Sequence, residues 1–411
     1  MAILAVNAGS SSLKFSLYCV RAGQVQERIL NGCMEGLQPG GVPLLGWSYH
    51  GDPAHAGQTQ RQALPLADTG TRTGTGTDKN VFAQALSALH ALLLSLPGIP
   101  AIEAVAHRVV HGGQAFRQSV RVDDAVLEQL GALVSLAPLH QPRNLEGIRA
   151  FRATFADLPQ IACFDTAFHA TLAEVDYAFA LPAYLTTAGI RRYGFHGLGY
   201  QFVMDWLLQH SARAQGRVLM AHLGNGASLC AAREGQSHAT TMGFSALDGL
   251  MMGTRSGALD AGVLLYLLEQ GWSHDRLQTL LYQQSGLLGV SGISADMRTL
   301  RADGSSPANR AIAQFTHRVV REAGALIACM GGLDVLTFSG GIGEHDVLLR
   351  QDVCAALSWL GVALDAERNR QATSDTPMTI HTDQSAVEVW VVPSDEGLVA
   401  AREAARLLFQ E

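Results

Sequence analysis

Short apolar runs that stop at turns rich in Gly, Ser and Asn recur along this chain. Residues 3–6 form one such run, ending at Asn7-Ala8-Gly9-Ser10-Ser11-Ser12, and a partly alternating run follows over 13–20. The pattern predicts strand, turn, strand. It repeats at 218–223, Gly224-Asn225-Gly226 and 227–232. A third run, 335–338, enters Ser339-Gly340-Gly341-Ile342-Gly343, which reads as another turn. Further strands are predicted over 102–110, 161–164 and 387–392. Helices are predicted over 81–96, 123–137, 308–330, 346–360 and 396–409. In the longest, Ile312, Phe315, Val319, Ala323 and Leu326 keep the helical period. Between Gly32 and Lys79 periodicity is weak, and the Thr/Gly repeat over 69–77 predicts an exposed loop. Lys79 has no Gly before it and no Ser or Thr after it, so no Walker A loop is present there.

Backbone N–H groups in Gly/Ser/Asn turns make concavities that bind anions. One such turn is ordinary hairpin punctuation. Three in one α/β chain point to a phosphate cradle, and their recurrence suggests two similar halves. The length of 411 residues suggests two or three domains with a cleft. A net charge of −7 and the lack of a basic stripe with interleaved aromatics argue against nucleic acid as a partner. Residues 1–10 have no basic region before a long apolar core, so no signal peptide is expected. The apolar stretch 81–96 is interrupted by Gln84 and His90 and stopped by Pro97, which predicts a buried helix and no membrane span. The 6 Cys are scattered with no C-x-x-C pair, as in a cytoplasmic protein with reduced thiols.

Chemistry enters first at Asn7 to Lys14. The segment offers backbone donors, hydroxyls, an amide and an ammonium, a set suited to phosphate oxygens and a hydrated magnesium ion. Read alone, it is equally an Asn/Gly/Ser hairpin with a solvated Lys. Lys occurs only at Lys14 and Lys79 among the 29 basic residues, so a Lys inside a motif gains some weight.

Asn7-Ala8-Gly9-Ser10-Ser11-Ser12-Leu13-Lys14 resembles the N-terminal block of the acetate kinase family, within the acetate and sugar kinase/Hsp70/actin superfamily. The similarity continues in order through His107-Arg108-Val109-Val110-His111-Gly112-Gly113, Ala137-Pro138-Leu139-His140 and Phe164-Asp165-Thr166-Ala167-Phe168-His169. It resumes at Arg192-Tyr193-Gly194-Phe195-His196-Gly197, His222-Leu223-Gly224-Asn225-Gly226-Ala227-Ser228 and Met252-Gly253-Thr254-Arg255-Ser256-Gly257, and closes at residues 339–344 and Asp395-Glu396.

The resemblance implies two actin-like (ribonuclease H-like) α/β domains with mixed sheets flanking a nucleotide cleft. It places one domain over 1–166 plus the returning helix 396–411, and a nucleotide-binding domain over 167–395. It implies a kinase that reversibly moves the γ-phosphoryl of ATP to acetate, with Mg2+ (Mn2+ as a substitute) and ATP/ADP as co-substrate, and a homodimer. Its implied catalytic set is Arg108, Asp165, His196 and Arg255. Val110, Leu139 and Phe195 would line the acyl pocket, with Arg108 and His140 also on the substrate. Nucleotide contacts would come from Asn7, Ser10, Ser12, Lys14, His222, Gly224, Asn225 and Gly226. Asp296, Met297 and Arg298, then Gly341, Ile342 and Gly343, would complete that set, while Asn7 and Glu396 would serve the metal.

The residue types suit the task. A carboxylic acid with a pKa near 4 is ionised at neutral pH and needs no general base. Charge then spreads over transferring oxygens between two anions, so positioning and cationic stabilisation carry the catalysis. A sugar kinase would need a general-base carboxylate to deprotonate a hydroxyl, which the Arg-rich, carboxylate-compatible set fits poorly. A chaperone-like ATPase would need an extra substrate segment or polymer interface, and no extra segment of that kind is visible. A propionate or broader short-chain acyl kinase stays open. Several positions depart from the family pattern. Ala246 stands where Pro is usual, and Ala258 and Ala261 where Asp and Pro are frequent. His345 replaces Asn, and Gly397 replaces a second Glu.

Overall fold

The computed structural model describes residues 1–9, 11–38, 41–50, 59–64, 77–138, 140–373 and 376–409. Ser10, Leu139 and the Gly/Thr-rich stretch 69–76 lie outside the described residues, while Thr77 opens a helix. The chain divides into two compact units. One comprises Met1–Ala167 with Asp395–Glu411, the other Phe168–Ser394.

The first unit is built on β1 (Ala2–Ala8), β2 (Ser12–Arg21), β3 (Gln24–Glu35), β4 (Leu44–Tyr49), β5 (Thr59–Ala63), β6 (Ile102–Val109), β7 (Val120–Arg121) and β8 (Gln160–Phe164). Their order in the sheet is β5-β4-β3-β2-β1-β6-β8-β7. The second unit holds β9 (Arg217–Leu223), β10 (Ala227–Arg233), β11 (Gln236–Thr240), β12 (Val335–Ser339), β13 (Met378–Thr379) and β14 (Glu388–Val391), ordered β11-β10-β9-β12-β14-β13. The two sheets share one plan. In each, an antiparallel meander (β1-β2-β3; β9-β10-β11) is extended by two parallel strands (β6-β8; β12-β14). The parallel strands β8 and β12 are mostly apolar because both faces are covered, and each is buried at every residue.

Helices cover these faces. Ser306–Met330 buries Ile312, Phe315, Val319, Ala323, Leu326 and Met330 along one stripe, packs on β10, and ends at Gly331 in a left-handed turn. Glu396–Phe409 returns to the first unit, where Ala400, Ala401, Ala404 and Ala405 allow close approach to β1 and β6. No described helix is long and apolar enough to cross a membrane. All six cysteines are free thiols.

Several predicted elements change, the 346–360 helix among them, which ends at Ala356 before a 3-10 turn. The weakly periodic region after Gly32 contains β4 and β5, and β3 runs into its start. The 123–137 helix stops at Ala132, with Asp123 accepting from Val126 N as its N-cap, and a 3-10 turn follows. The expected turn after β12 is a short helix, Gly340–His345. Glu344 closes it by accepting from Gly340 N at 2.8 Å, and Arg350 caps its end by donating to the carbonyls of Gly343 and Glu344.

Candidate active site

In the second unit the turn Gly224-Asn225-Gly226 joins β9 to β10, and Gly224 N donates to Gly226 O at 3.0 Å. Asn225 is locked from outside: its carbonyl accepts from Gly253 N, and a Cβ on Gly253 would sit 2.0 Å from Asn225 Oδ1. Only Gly lets the Met252-Gly253-Thr254-Arg255 segment approach this closely. Gly224 and Asn225 form one wall of a cavity of about 880 Å3. Asp296, Met297 and Arg298 form the second wall, and Gly341 and Ile342 with His345 the third. Asp296 caps the helix Met297–Asp303 and pairs with Arg298 at 2.6 Å, which holds its carboxyl below the ordinary value. Gly226, His222 and Gly343 do not line this cavity.

Gly226 faces another way. A Cβ there would lie 3.0 Å from Arg255 Nη2 and 3.2 Å from His196 Nε2. Arg255 is anchored by Nη1, which donates to Ala246 O at 2.6 Å. His196 holds a left-handed backbone (φ 58°) just before the helix Gly197–His210. A non-Gly residue there is uncommon and tends to mark a functional position. Its ring lies 4.4 Å from that of His222, and its Nδ1 meets Ser228 Oγ at 2.9 Å. Phe195, fully buried, is held by its carbonyl, which accepts from His169 Nε2 at 3.0 Å. Burial pushes the His169 ring down to about 4, so it is neutral: Nε2–H donates to Phe195 and Nδ1 accepts from Ser237.

In the first unit, Asn7 sits on β1 opposite Lys14 on β2, and Gly9 N donates to Ser12 O across the hairpin end. Lys14 is exposed and lines a second cavity, of about 420 Å3, on the face of β2 to β5. Asn144 ties the ends of β1 and β6, donating to Ala8 O and accepting from Val110 N. Arg108, on β6, donates from Nε and Nη2 to the two oxygens of Asp165 at 3.0 and 2.6 Å, and Nε also lies 3.2 Å from Glu396 Oε2. Burial opposes the charge of Arg108, but Asp165 and Glu396 outweigh it and hold the guanidinium above its ordinary value. His140 is half-buried at the start of the helix Gln141–Thr154, and Val110 is buried.

The sequence reading missed Ser228 and Tyr200, which meet at 2.6 Å behind His196. Ser228 lies inside a quoted motif, but nothing local pairs it with a histidine. Tyr200 falls one helical turn after His196, a spacing that places both on one face. Arg350, fully buried behind the cavity wall, carries no local signal at all.

A cradle of turns beside a cavity, with two cationic or imidazole donors aimed past it, on a duplicated mixed-sheet plan, defines an ATP-dependent phosphotransferase of the two-unit α/β class. A sequence profile of the acetokinase family matches residues 2–402. The chain belongs to the acetokinase family. It is 46% identical over 408 residues to an acetate kinase of Rhodopseudomonas palustris, covering 98% of each chain. Among solved structures, a propionate kinase from Francisella tularensis superposes with a TM-score of 0.84 at 35% identity, covering 98% of each chain. The Porphyromonas gingivalis acetate kinase gives 0.82 at 32% identity, covering 100% of both.

Proposed function

We propose that this protein is an acetate kinase: it transfers the γ-phosphoryl of ATP reversibly to acetate, giving acetyl phosphate and ADP. The acetate oxygen forms a bond to the γ-phosphorus as the bond to the ADP oxygen breaks, in line and without a covalent enzyme intermediate. The observation that carries this reading is the turn 224–226. Its first two residues line a cavity large enough for a nucleotide, and its third faces Arg255 and His196. A phosphate chain laid along the turn would place its far end toward these two donors.

Arg255 and His196 stabilise charge on the moving phosphoryl. Arg108 takes the acetate carboxylate, with Asp165 fixing its fork and Glu396 sharing its charge. His140 supports this group. Val110, Leu139 and Phe195 cover the methyl, while Asn7, Ser10, Ser12, Lys14 and His222 complete the phosphate contacts. Asp296, Met297 and Arg298 flank ribose and base, with Gly341, Ile342 and Gly343 against the adenosine.

Magnesium is implied by the nucleotide. The first unit offers a hard oxygen set that fits it: the carboxylates of Asp165 and Glu396 both reach Arg108. Glu396 and Asn7 would hold the ion, which when bound neutralises phosphate charge. We further propose a cytoplasmic homodimer. The helix Ala261–Glu269 supports the dimer, since it buries no residue and leaves Leu265, Tyr266 and Leu268 exposed.

A second reading, propionate or broader acyl specificity, is favoured by Ala246 in place of the usual Pro and by the likeness to the Francisella propionate kinase. The deciding assay supplies ATP, Mg2+ and one acid, with hydroxylamine trapping the acyl phosphate as hydroxamate. Acetohydroxamate formation with equimolar ADP is expected. ATP hydrolysis without hydroxamate from either acid would overturn the kinase reading.

A further inference from the structure

We propose that Tyr200 and Ser228 are positioning residues that hold His196 as its Nε2–H tautomer, so that it presents a proton donor, not a lone pair, toward Gly226. This rests on the reading of His196 as a donor to the transferring phosphoryl. The chain of contacts is short: Tyr200 Oη to Ser228 Oγ at 2.6 Å, and Ser228 Oγ to His196 Nδ1 at 2.9 Å.

The direction of this relay follows from counting protons. Tyr200 and Ser228 are both fully buried. Buried hydroxyl protons in folded proteins find acceptors. The phenol oxygen of Tyr200 has two hydrogen-bonding neighbours among the described residues, Ser228 Oγ and the backbone N–H of His222. The N–H can only donate. The Tyr200 proton therefore goes to Ser228 Oγ. Ser228 then has its own proton to place, and its other neighbour among the described residues is His196 Nδ1. Nδ1 accepts, which leaves the ring proton on Nε2.

The opposite assignment fails at the far end. A proton on Nδ1 would be donated to Ser228, whose proton would turn to the Tyr200 oxygen. The Tyr200 proton would then face no acceptor, beside an N–H that repels it. Burial raises the Tyr200 phenol well above its ordinary value, with Cys230 adding to this and the bonds from Ser228 and His222 opposing it, so the phenol keeps its proton. The left-handed backbone of His196 and the close ring of His222 fix the imidazole plane, so the relay sets the remaining freedom, which nitrogen carries hydrogen.

The test reads the tautomer directly. Long-range proton–nitrogen correlation of 15N-histidine-labelled full-length protein, without ligands, reports each ring nitrogen as pyrrole-type or pyridine-type, and His196→Gln assigns the signals. A pyridine-type Nδ1 and a pyrrole-type Nε2 are expected, and the reverse overturns the proposal. Tyr200→Phe removes one oxygen and should give a mixed tautomer signal; an unchanged spectrum removes Tyr200 from the relay. Ser228→Ala should lower kcat roughly tenfold or more with both KM values held within about twofold, and Ser228→Thr, which keeps the hydroxyl, should recover it. Unaltered kcat in Ser228→Ala overturns the relay's kinetic role. Full turnover by His196→Gln would instead sink the catalytic reading of His196 while leaving the tautomer assignment intact.

Discussion

Arg255 Nη2 and His196 Nε2 converge on the space a Gly226 side chain would fill, 3.0 and 3.2 Å from the position of its missing Cβ. The two donors come from separate segments, one in the non-helical stretch 252–255 and one just before the helix Gly197–His210. Their meeting point lies on the turn that also walls the cavity of about 880 Å3. Gly226→Ala should therefore act on chemistry more than on folding. Its φ is not in the left-handed region, so Ala fits the backbone, but the methyl would press on both donors at 3.0 and 3.2 Å. We expect kcat to fall roughly a hundredfold, as for a misplacement of order 1 Å, with a small change in melting temperature. Near-normal kcat would remove this convergence from the mechanism.

What the sequence revealed of this arrangement was the motifs, not their meeting. β1, β8, β9 and β12 are legible because each is a compact apolar run stopped by Gly, Ser, Asn or Asp. β5 is not legible: Thr59–Ala63 is exposed at every residue and has no apolar face to betray it. It exists as a strand through its ladder to β4, a long-range pairing that local pattern cannot carry. β3 fails for a related reason, since its first half is polar and register-shifted against β2. The same limit applies to the site. Arg108, His196 and Arg255 stand in recognisable blocks, but Tyr200 looks like any core residue of an apolar helix, and its role appears only through Ser228.

The departure at Gly397 has a physical counterpart in Tyr18. A Cβ at 397 would lie 2.8 Å from Tyr18 Oη, and that hydroxyl is held by a 2.6 Å bond to Asp395. In an ordinary helix Gly→Ala gains about 1 kcal/mol. Here the methyl meets a buried, tethered phenol, so Gly397→Ala should destabilise by roughly 1–2 kcal/mol. In a Tyr18→Phe background the same change should turn neutral or stabilising. Urea unfolding of the four proteins measures the coupling, expected above about 1 kcal/mol; strict additivity would break the link between these residues.

Stability should fall between pH 7 and pH 5 through two buried histidines. Burial pushes His107 down to about 4, with its bond to Gln160 opposing, and it pushes His169 down to about 4 likewise. Their unfolded values lie near 6.5. Between those limits the unfolded chain binds more protons than the folded one, so unfolding becomes easier as pH falls and the loss is complete below about 4. Each histidine contributes about 2 kcal/mol of loss from pH 7 to pH 5. His107→Gln should flatten the dependence of melting temperature on pH over this range. A slope that stays as steep in the variant would show that His107 is not its source.

Ala246 anchors Arg255 and stands where the family resemblance places Pro. Its carbonyl accepts from Arg255 Nη1 at 2.6 Å, a bond that Pro would keep because proline retains its carbonyl. What Pro adds is a ring and a constraint on Ser245, which it biases toward extended backbone. If the ring narrows the space for the acyl chain, Ala246→Pro should disfavour propionate more than acetate. One methylene in an apolar pocket is worth about 1–3 kcal/mol, so the propionate-to-acetate ratio of kcat/KM should drop roughly tenfold. The readout is the ratio, which cancels any shared effect of a shifted Arg255 on phosphoryl transfer. A ratio unmoved by the substitution would assign acyl selectivity to other residues, and the absent proline would then have no part in substrate choice.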